Sequence, residues 1–188
     1  LTDTACYYRS ARMLSKMSRV LGLDDPYLAR SEEIRAALLR NFVDADTGEV
    51  AGACQTSDGC VAFHHLLKPQ EEARLMERLA ERIAQNGWHI DYGILGSKYV
   101  LNMLGEYGRT DVIYKMLTRE DYPGYLYWVA HGCTTLAECW NLGGSHNHYM
   151  FSDVSAVFYR YFAGIRPDGD IPAYRSFLLA PALDLAID

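Results

Sequence analysis

The sequence predicts an all-α fold in which helical hairpins pack in a ring, inner helices covered by outer ones, with about seven helices present. Three observations carry this reading. Apolar residues recur at three- and four-residue spacing through most of the first 117 positions. Segments with one wet face alternate with segments apolar almost all round, as expected where one helix layer buries another. The breaks between them are short Gly, Pro and Asp clusters rather than long linkers.

The first helix is expected over 2–21, capped by Thr2 or Asp3, with Ala5, Tyr8, Ala11, Met13, Leu14, Met17, Val20 and Leu21 at helical spacing. Gly22 ends it, and L-D-D-P turns the chain into a second helix over 26–42, anchored by Leu28, Ile34, Ala37, Leu38 and Leu39. D-A-D-T-G then marks a solvated turn, since it lacks the twelve-residue pattern of a calcium loop. A third helix is expected over 53–66. Lys68-Pro69 opens a fourth, in which Met76, Leu79, Ala80 and Ile83 oppose Glu77, Arg78, Glu81 and Arg82, so it is an outer helix. The fifth, over 92–106, is apolar on nearly every side and is an inner one. A sixth follows over 111–117 and a last over 149–162. Residues 1–170 form one domain in this reading, and 171–188 an extended tail with the look of strands about to begin.

The totals narrow the function classes. With 188 residues, 49% hydrophobic and 22% charged, the chain suits a single domain able to bury a core. A formal net charge of −6 and the lack of a basic run argue against nucleic acid as a partner. No stretch approaches the ~20 apolar residues of a membrane span, so no membrane partner is expected. No signal segment opens the chain, which leaves cytoplasm and periplasm equally open. A start at Leu1 rather than Met, in the manner of a helix already under way, suggests a piece of a longer protein. Cysteines at 6, 54, 60, 133 and 139 are odd in number and lack C-x-x-C spacing, which fits buried reduced thiols better than disulfides or zinc.

The chemistry concentrates between Gly132 and Asp153, G-C-T-T-L-A-E-C-W-N-L-G-G-S-H-N-H-Y-M-F-S-D. A carboxylate (Glu138), an indole (Trp140), an amide (Asn147) and two imidazoles (His146, His148) make the inventory of a polyol site: planar donors and acceptors for hydroxyls, an aromatic face for C–H patches, and a group that moves protons. Glu138 reads as the chemical centre, against the plainer alternative of a structural hydrogen-bonding carboxylate. Trp140, taken by itself, fits a core better than a sugar platform. The His146-x-His148 pair has only Asp153 as a nearby third donor, so no metal is expected. Cys139, beside Glu138, lacks a positioned base for a thiol nucleophile. His89 and Asp91 precede the fifth helix, where Asp91 is expected to cap the following amides rather than to catalyse. Tyr122, Tyr125, Tyr127, Trp128 and His131 stand before the site, either as its aromatic wall or as ordinary packing.

T-T-L-A-E-C-W, S-H-N-H-Y-M-F and F-Y-R-Y-F-A-G-I-R-P-D, preceded by H-I-D-Y-G-I-L-G-S-K-Y-V-L-N-M-L-G-E-Y-G-R-T-D and Y-P-G-Y-L-Y-W, resemble the C-terminal half of the catalytic domain of bacterial α-L-rhamnosidases. The resemblance covers nearly the whole chain. It implies part of an (α/α)6 toroid and an inverting glycoside hydrolase acting on plant or bacterial glycans or glycosides. On that resemblance Glu138 would be the general base and His148 a sugar contact; the inventory of residues adds His146, Asn147, Trp140 and Trp128 as expected sugar contacts, with no metal or other cofactor. Such a mechanism needs a second carboxyl about 6.5–9.5 Å away as general acid. The family carries that acid in an N-terminal motif with no counterpart here, so the remaining N-terminal half of the domain becomes an expected partner, beside the carbohydrate. Departures from the family pattern are Ala137 for a common Trp, Gly124-Tyr125 for Ser-Trp, and Ser152 for Gly, changes of pocket shape more than of acid–base chemistry. The alternatives are a non-catalytic helical carbohydrate-binding module, from another class, and another inverting toroid glycosidase or a polysaccharide lyase with a different sugar.

Overall fold

Small residues set the first contact of the fold. The computed structural model describes residues 1–169 and 171–183. Helix α1 (Thr2–Leu21) buries Ala5, Ala11, Ser15 and Ser18 beside Tyr8, a narrow face against which α2 (Tyr27–Phe42) packs. Gly22 at φ 66 closes α1, with Leu23 N–H donating to Ser18 O at 2.9 Å.

Helix α3 (Gln55–Phe63) is shorter than the spacing predicts, because Ala53 (φ 42) and His65 (φ 50) take left-handed conformations at either side. Its contact with α5 (Ile94–Glu106) is close: a Cβ on Gly59 would lie 2.9 Å from Val100 Cγ2. Because Gly59 meets Val100 and Phe63 meets Tyr99, while Gln55 meets Asp91, the two helices run parallel with their N-termini together. Outside them, α4 (Pro69–Gln85) buries Leu75, Met76, Leu79, Ala80 and Ile83 as the outer helix expected, and α6 (Thr110–Leu117) joins that layer. Arg82 of α4 reaches Asp58 of α3 at 2.6 Å. Asp58 is only 1% exposed, and burial outweighs the guanidinium to push its carboxyl up to about 6.

Among the described residues there are eight α-helices, one more than the periodicity suggests. The addition is α7 (Tyr125–Ala130), which is six residues long, follows a cis Tyr122–Pro123 bond, and is too short and too aromatic to show a 3.6-residue pattern. The last expected helix is segmented into a 3₁₀ turn (Tyr149–Phe151), α8 (Asp153–Val157) and a π turn (Phe158–Phe162). The inner layer is thus α1, α3, α5 and α8, side by side, with α2, α4 and α6 outside. Beyond it β1 (Ile165–Pro167) pairs antiparallel with β2 (Phe177–Leu179), in the register Ile165↔Leu179 and Pro167↔Phe177. The hairpin straddles position 170; residue 170 and, in the expected tail, 184–188 lie outside the described residues.

Exposed apolar side chains gather at the two ends of this arc, Met17, Val20 and Leu21 on α1 and Tyr159, Phe177 and Leu179 at the other end. All five cysteines are free, but only Cys60 is buried; Cys6 and Cys139 are exposed, which corrects the expectation of buried thiols throughout. No helix among the described residues is long and apolar enough to cross a membrane.

Candidate active site

The loop between α7 and the 149–151 turn is built as a distorted hairpin. His148 N–H donates to Leu136 O at 2.8 Å and Glu138 N–H to Ser145 O at 2.8 Å, while Thr135 Oγ1 donates to His146 O. The bend between these rungs needs left-handed residues, supplied by Leu142 (φ 64) and Gly144 (φ 75). Leu142 N–H closes on Cys139 O at 3.0 Å, and His146 Nε2 lies 2.8 Å from Leu142 O.

This loop brings Glu138 and His148 together, with His148 Nδ1 3.8 Å from Glu138 Oε2, beyond direct hydrogen-bond distance. Their side chains are 43% and 29% exposed. Ser145 N–H donates to the same Oε2 at 3.0 Å. Asn147 lies beside them, exposed, its N–H turned to Ser145 Oγ at 3.2 Å. The imidazole of His146 instead folds back on its own turn. Among the described residues no three His, Cys, Asp or Glu side chains are placed to hold a metal ion.

The two tryptophans support the loop from the core. Trp140 stacks on Trp128 with centroids 4.5 Å apart, takes the edge of Tyr125 at 5.1 Å, and packs on Phe151 at 4.5 Å. Its indole N–H donates to Tyr92 O at 2.7 Å, and Trp128 N–H donates to Trp140 O at 3.0 Å. Trp128 is 2% exposed and Tyr125 is likewise buried, whereas Trp140 is half-buried. Additional chain can only cover surface further, so Trp128 lies behind the site and touches it through Trp140. Ala137 is fully buried, which leaves a large indole at that position no room without repacking.

Asp91 corrects another expectation. Its carboxylate caps α3, not α5: Gln55 N–H donates to Oδ1 at 3.0 Å, and Asp91 N–H returns to Gln55 Oε1 at 3.3 Å. Local sequence suggests the nearest helix, and only the parallel packing of α3 and α5 reveals the right one. Partial desolvation raises the Asp91 carboxyl above the usual range. His89 Nε2 pairs with Asp121 at 2.9 Å, and Arg119 with His89 holds that carboxylate well below the usual range. Of the proposed aromatic wall, Tyr122 and Tyr127 pack edge to face at 5.5 Å, and Tyr127 lies over His131 at 4.0 Å.

Sequence reasoning singled out side chains and overlooked backbone. Gly144, Ser145 N–H and the Tyr92 carbonyl hold the candidate groups, and the Gly-Gly-Ser run was the one available signal for the first two. A cleft of about 730 Å³ lies elsewhere, at the C-terminal ends of α3 and α5 among Arg9, Arg12, His64, Glu106 and Arg160; no residue of the 131–148 loop lines it.

The family model for the bacterial alpha-L-rhamnosidase 6 hairpin glycosidase domain matches residues 1–162. An alpha-L-rhamnosidase of Alteromonas sp. is 27% identical over 97% of the chain, and one of Streptomyces avermitilis 30% identical over 95%. The chain spans about a fifth of their length, 21% and 18%. Among solved structures, the Streptomyces avermitilis alpha-L-rhamnosidase complexed with L-rhamnose superposes with a TM-score of 0.85 at 29% identity, covering 95% of this chain and 18% of that one.

Proposed function

Since the chain belongs to the bacterial α-L-rhamnosidase six-hairpin glycosidase family, we propose that it forms part of the toroidal catalytic domain of an inverting hydrolase that releases α-L-rhamnose from glycans or glycosides. The observation that carries this reading is the Glu138 carboxylate, held at one oxygen by Ser145 N–H and exposed beside His148 on a loop at the N-terminal end of the inner helices. The relative in complex with L-rhamnose supports the choice of sugar.

In this reading Glu138 is the general base that takes a proton from water as the water attacks the anomeric carbon. His148 and Asn147 hold sugar hydroxyls. His146 shapes the turn that presents them. Trp140 offers its open edge as a platform, with Trp128 fixing it from behind. The general acid and the other wall of the pocket come from further chain in a longer polypeptide. Residues 1–170 form the body of the domain in this reading, and the segment from 171 returns through β2 to pair with β1 at its edge.

Proton NMR of the sugar first released from an aryl α-L-rhamnoside by the full-length protein tests the scheme. The expected first product is β-L-rhamnose, which then mutarotates. A first product with retained α configuration overturns inversion, and no release of rhamnose overturns the substrate.

A further inference from the structure

The two oxygens of a glutamate carboxylate are chemically equivalent until something distinguishes them, and the terminal torsion that exchanges them is broad. Here the backbone distinguishes them. Ser145 N–H donates to Oε2 at 3.0 Å, a charge-assisted bond, and His148 Nδ1 lies on the same oxygen's side at 3.8 Å. Among the described residues Oε1 has no hydrogen-bond partner. The amide reaches Oε2 because residue 144 is a glycine. At φ +75 a Cβ there would lie 2.5 Å from Oε2 and 3.0 Å from Cδ, too close for the carboxylate to keep its place.

Resting on the reading of Glu138 as base, we infer that the Gly144–Ser145 backbone divides the work between the two oxygens: Oε2 is the anchor, Oε1 accepts the proton, and Gly144 is the positioning residue that permits both. The rungs from Glu138 N–H to Ser145 O and from His148 N–H to Leu136 O fix the two sides of the loop. With the main chain held, a Cβ at 144 is accommodated by the Glu138 side chain, whose carboxylate must swing off the Ser145 amide. Water loses one proton to Oε1 as its oxygen forms the bond to the anomeric carbon and the glycosidic bond breaks, the leaving oxygen taking a proton from the acid. Misplacing Oε1 raises the barrier to that step while leaving the ground-state contacts to the sugar in place.

The test compares Gly144→Ala, Gly108→Ala and Glu138→Gln in the full-length protein. Gly108 also has a left-handed φ (+69), but nothing lies within 4 Å of a Cβ there, so its variant carries the backbone strain without the carboxylate contact. Both alanine variants are expected to lower Tm. Only Gly144→Ala should lower kcat, by about a hundredfold, with KM for an aryl α-L-rhamnoside within about twofold of the parent. The loss should be equal for aryl leaving groups of high and low acidity, since protonation of the leaving oxygen is untouched. A kcat for Gly144→Ala within twofold of Gly108→Ala, or a loss confined to KM, overturns the inference. Substantial turnover by Glu138→Gln sinks the base reading itself; an inactive Glu138→Gln beside a normal Gly144→Ala sinks only the division of the oxygens. If Gly144→Ala does not fold, replacing Ser145 by its α-hydroxy analogue exchanges the N–H for an ester oxygen and leaves position 144 alone. A drop in kcat of about tenfold supports the inference, and an unchanged kcat overturns it.

Discussion

Trp128 and Trp140 lie stacked 4.5 Å apart, and the indole N–H of the first donates to the backbone carbonyl of the second at 3.0 Å. One is a buried core residue of α7; the other is two positions from Glu138. The stack is the physical link between the hydrophobic core and the candidate base.

Trp128→Ala should therefore act on stability and activity together. Loss of a buried indole costs about 3–5 kcal/mol, and the Trp140 carbonyl loses its donor. Denaturant unfolding checks the first effect and kcat the second. Trp128→Phe, which keeps much of the packing but not the N–H, should recover most of the stability.

Glu138→Gln keeps the side chain's shape and removes its capacity to accept a proton. Turnover should fall by about two to four orders of magnitude while circular dichroism and Tm stay near the parent's. Residual turnover close to normal would return Glu138 to a structural role.

His148→Ala should raise KM for the rhamnoside by about tenfold, the worth of a hydrogen bond of ~1.4 kcal/mol, with a smaller change in kcat. The signature is a KM effect, read from initial rates over a range of substrate concentrations. An unchanged KM and kcat would remove His148 from the sugar site.

Asp91→Ala removes the cap of α3 and should cost about 1 kcal/mol of stability, with kcat within about threefold. Near-total loss of turnover in a folded variant would instead make Asp91 the second carboxyl of the mechanism. Unfolding curves and initial rates on the same preparation separate the two.

His64 gives a pH dependence. It is 6% exposed with neither ring nitrogen hydrogen-bonded, and burial, with Arg9, His65 and Lys98 adding repulsion, lowers its pKa to about 4. In the unfolded chain a histidine titrates near ~6.5. Between those values the unfolded state binds more protons, so stability rises with pH: the contribution is complete above ~6.5 and lost as pH falls through about 4, on the order of 3 kcal/mol. Urea midpoints from pH 4 to 7 should flatten in His64→Leu. An identical slope in the variant would assign the pH dependence to other groups.

The fold was legible wherever periodicity could work. Helix α4, with Leu75, Met76, Leu79 and Ile83 on one face, and α5, buried nearly throughout, announce their layers in sequence. Periodicity fails at α7, whose six residues complete fewer than two turns, and at 149–162, where a 3₁₀ turn and a π turn change the residues per turn. For the site, sequence offers side-chain chemistry and so points to Glu138 and His148, which the loop does bring together. It is silent about contacts made by backbone, the Tyr92 carbonyl and Ser145 N–H, and about the partner of Asp91, which depends on which helix ends lie side by side.

The clasp between Gln55 and Asp91 reaches further than the helix it caps. Asp91 is bonded to Tyr92, whose carbonyl holds the Trp140 indole, and Trp140 lies two residues from the carboxylate. Two hydrogen bonds and a short stretch of covalent chain thus connect Gln55 to Glu138. The α3 N-terminus, far upstream and without a reactive group of its own, is in this way one of the loop's moorings, and slackening it costs stability before it costs alignment.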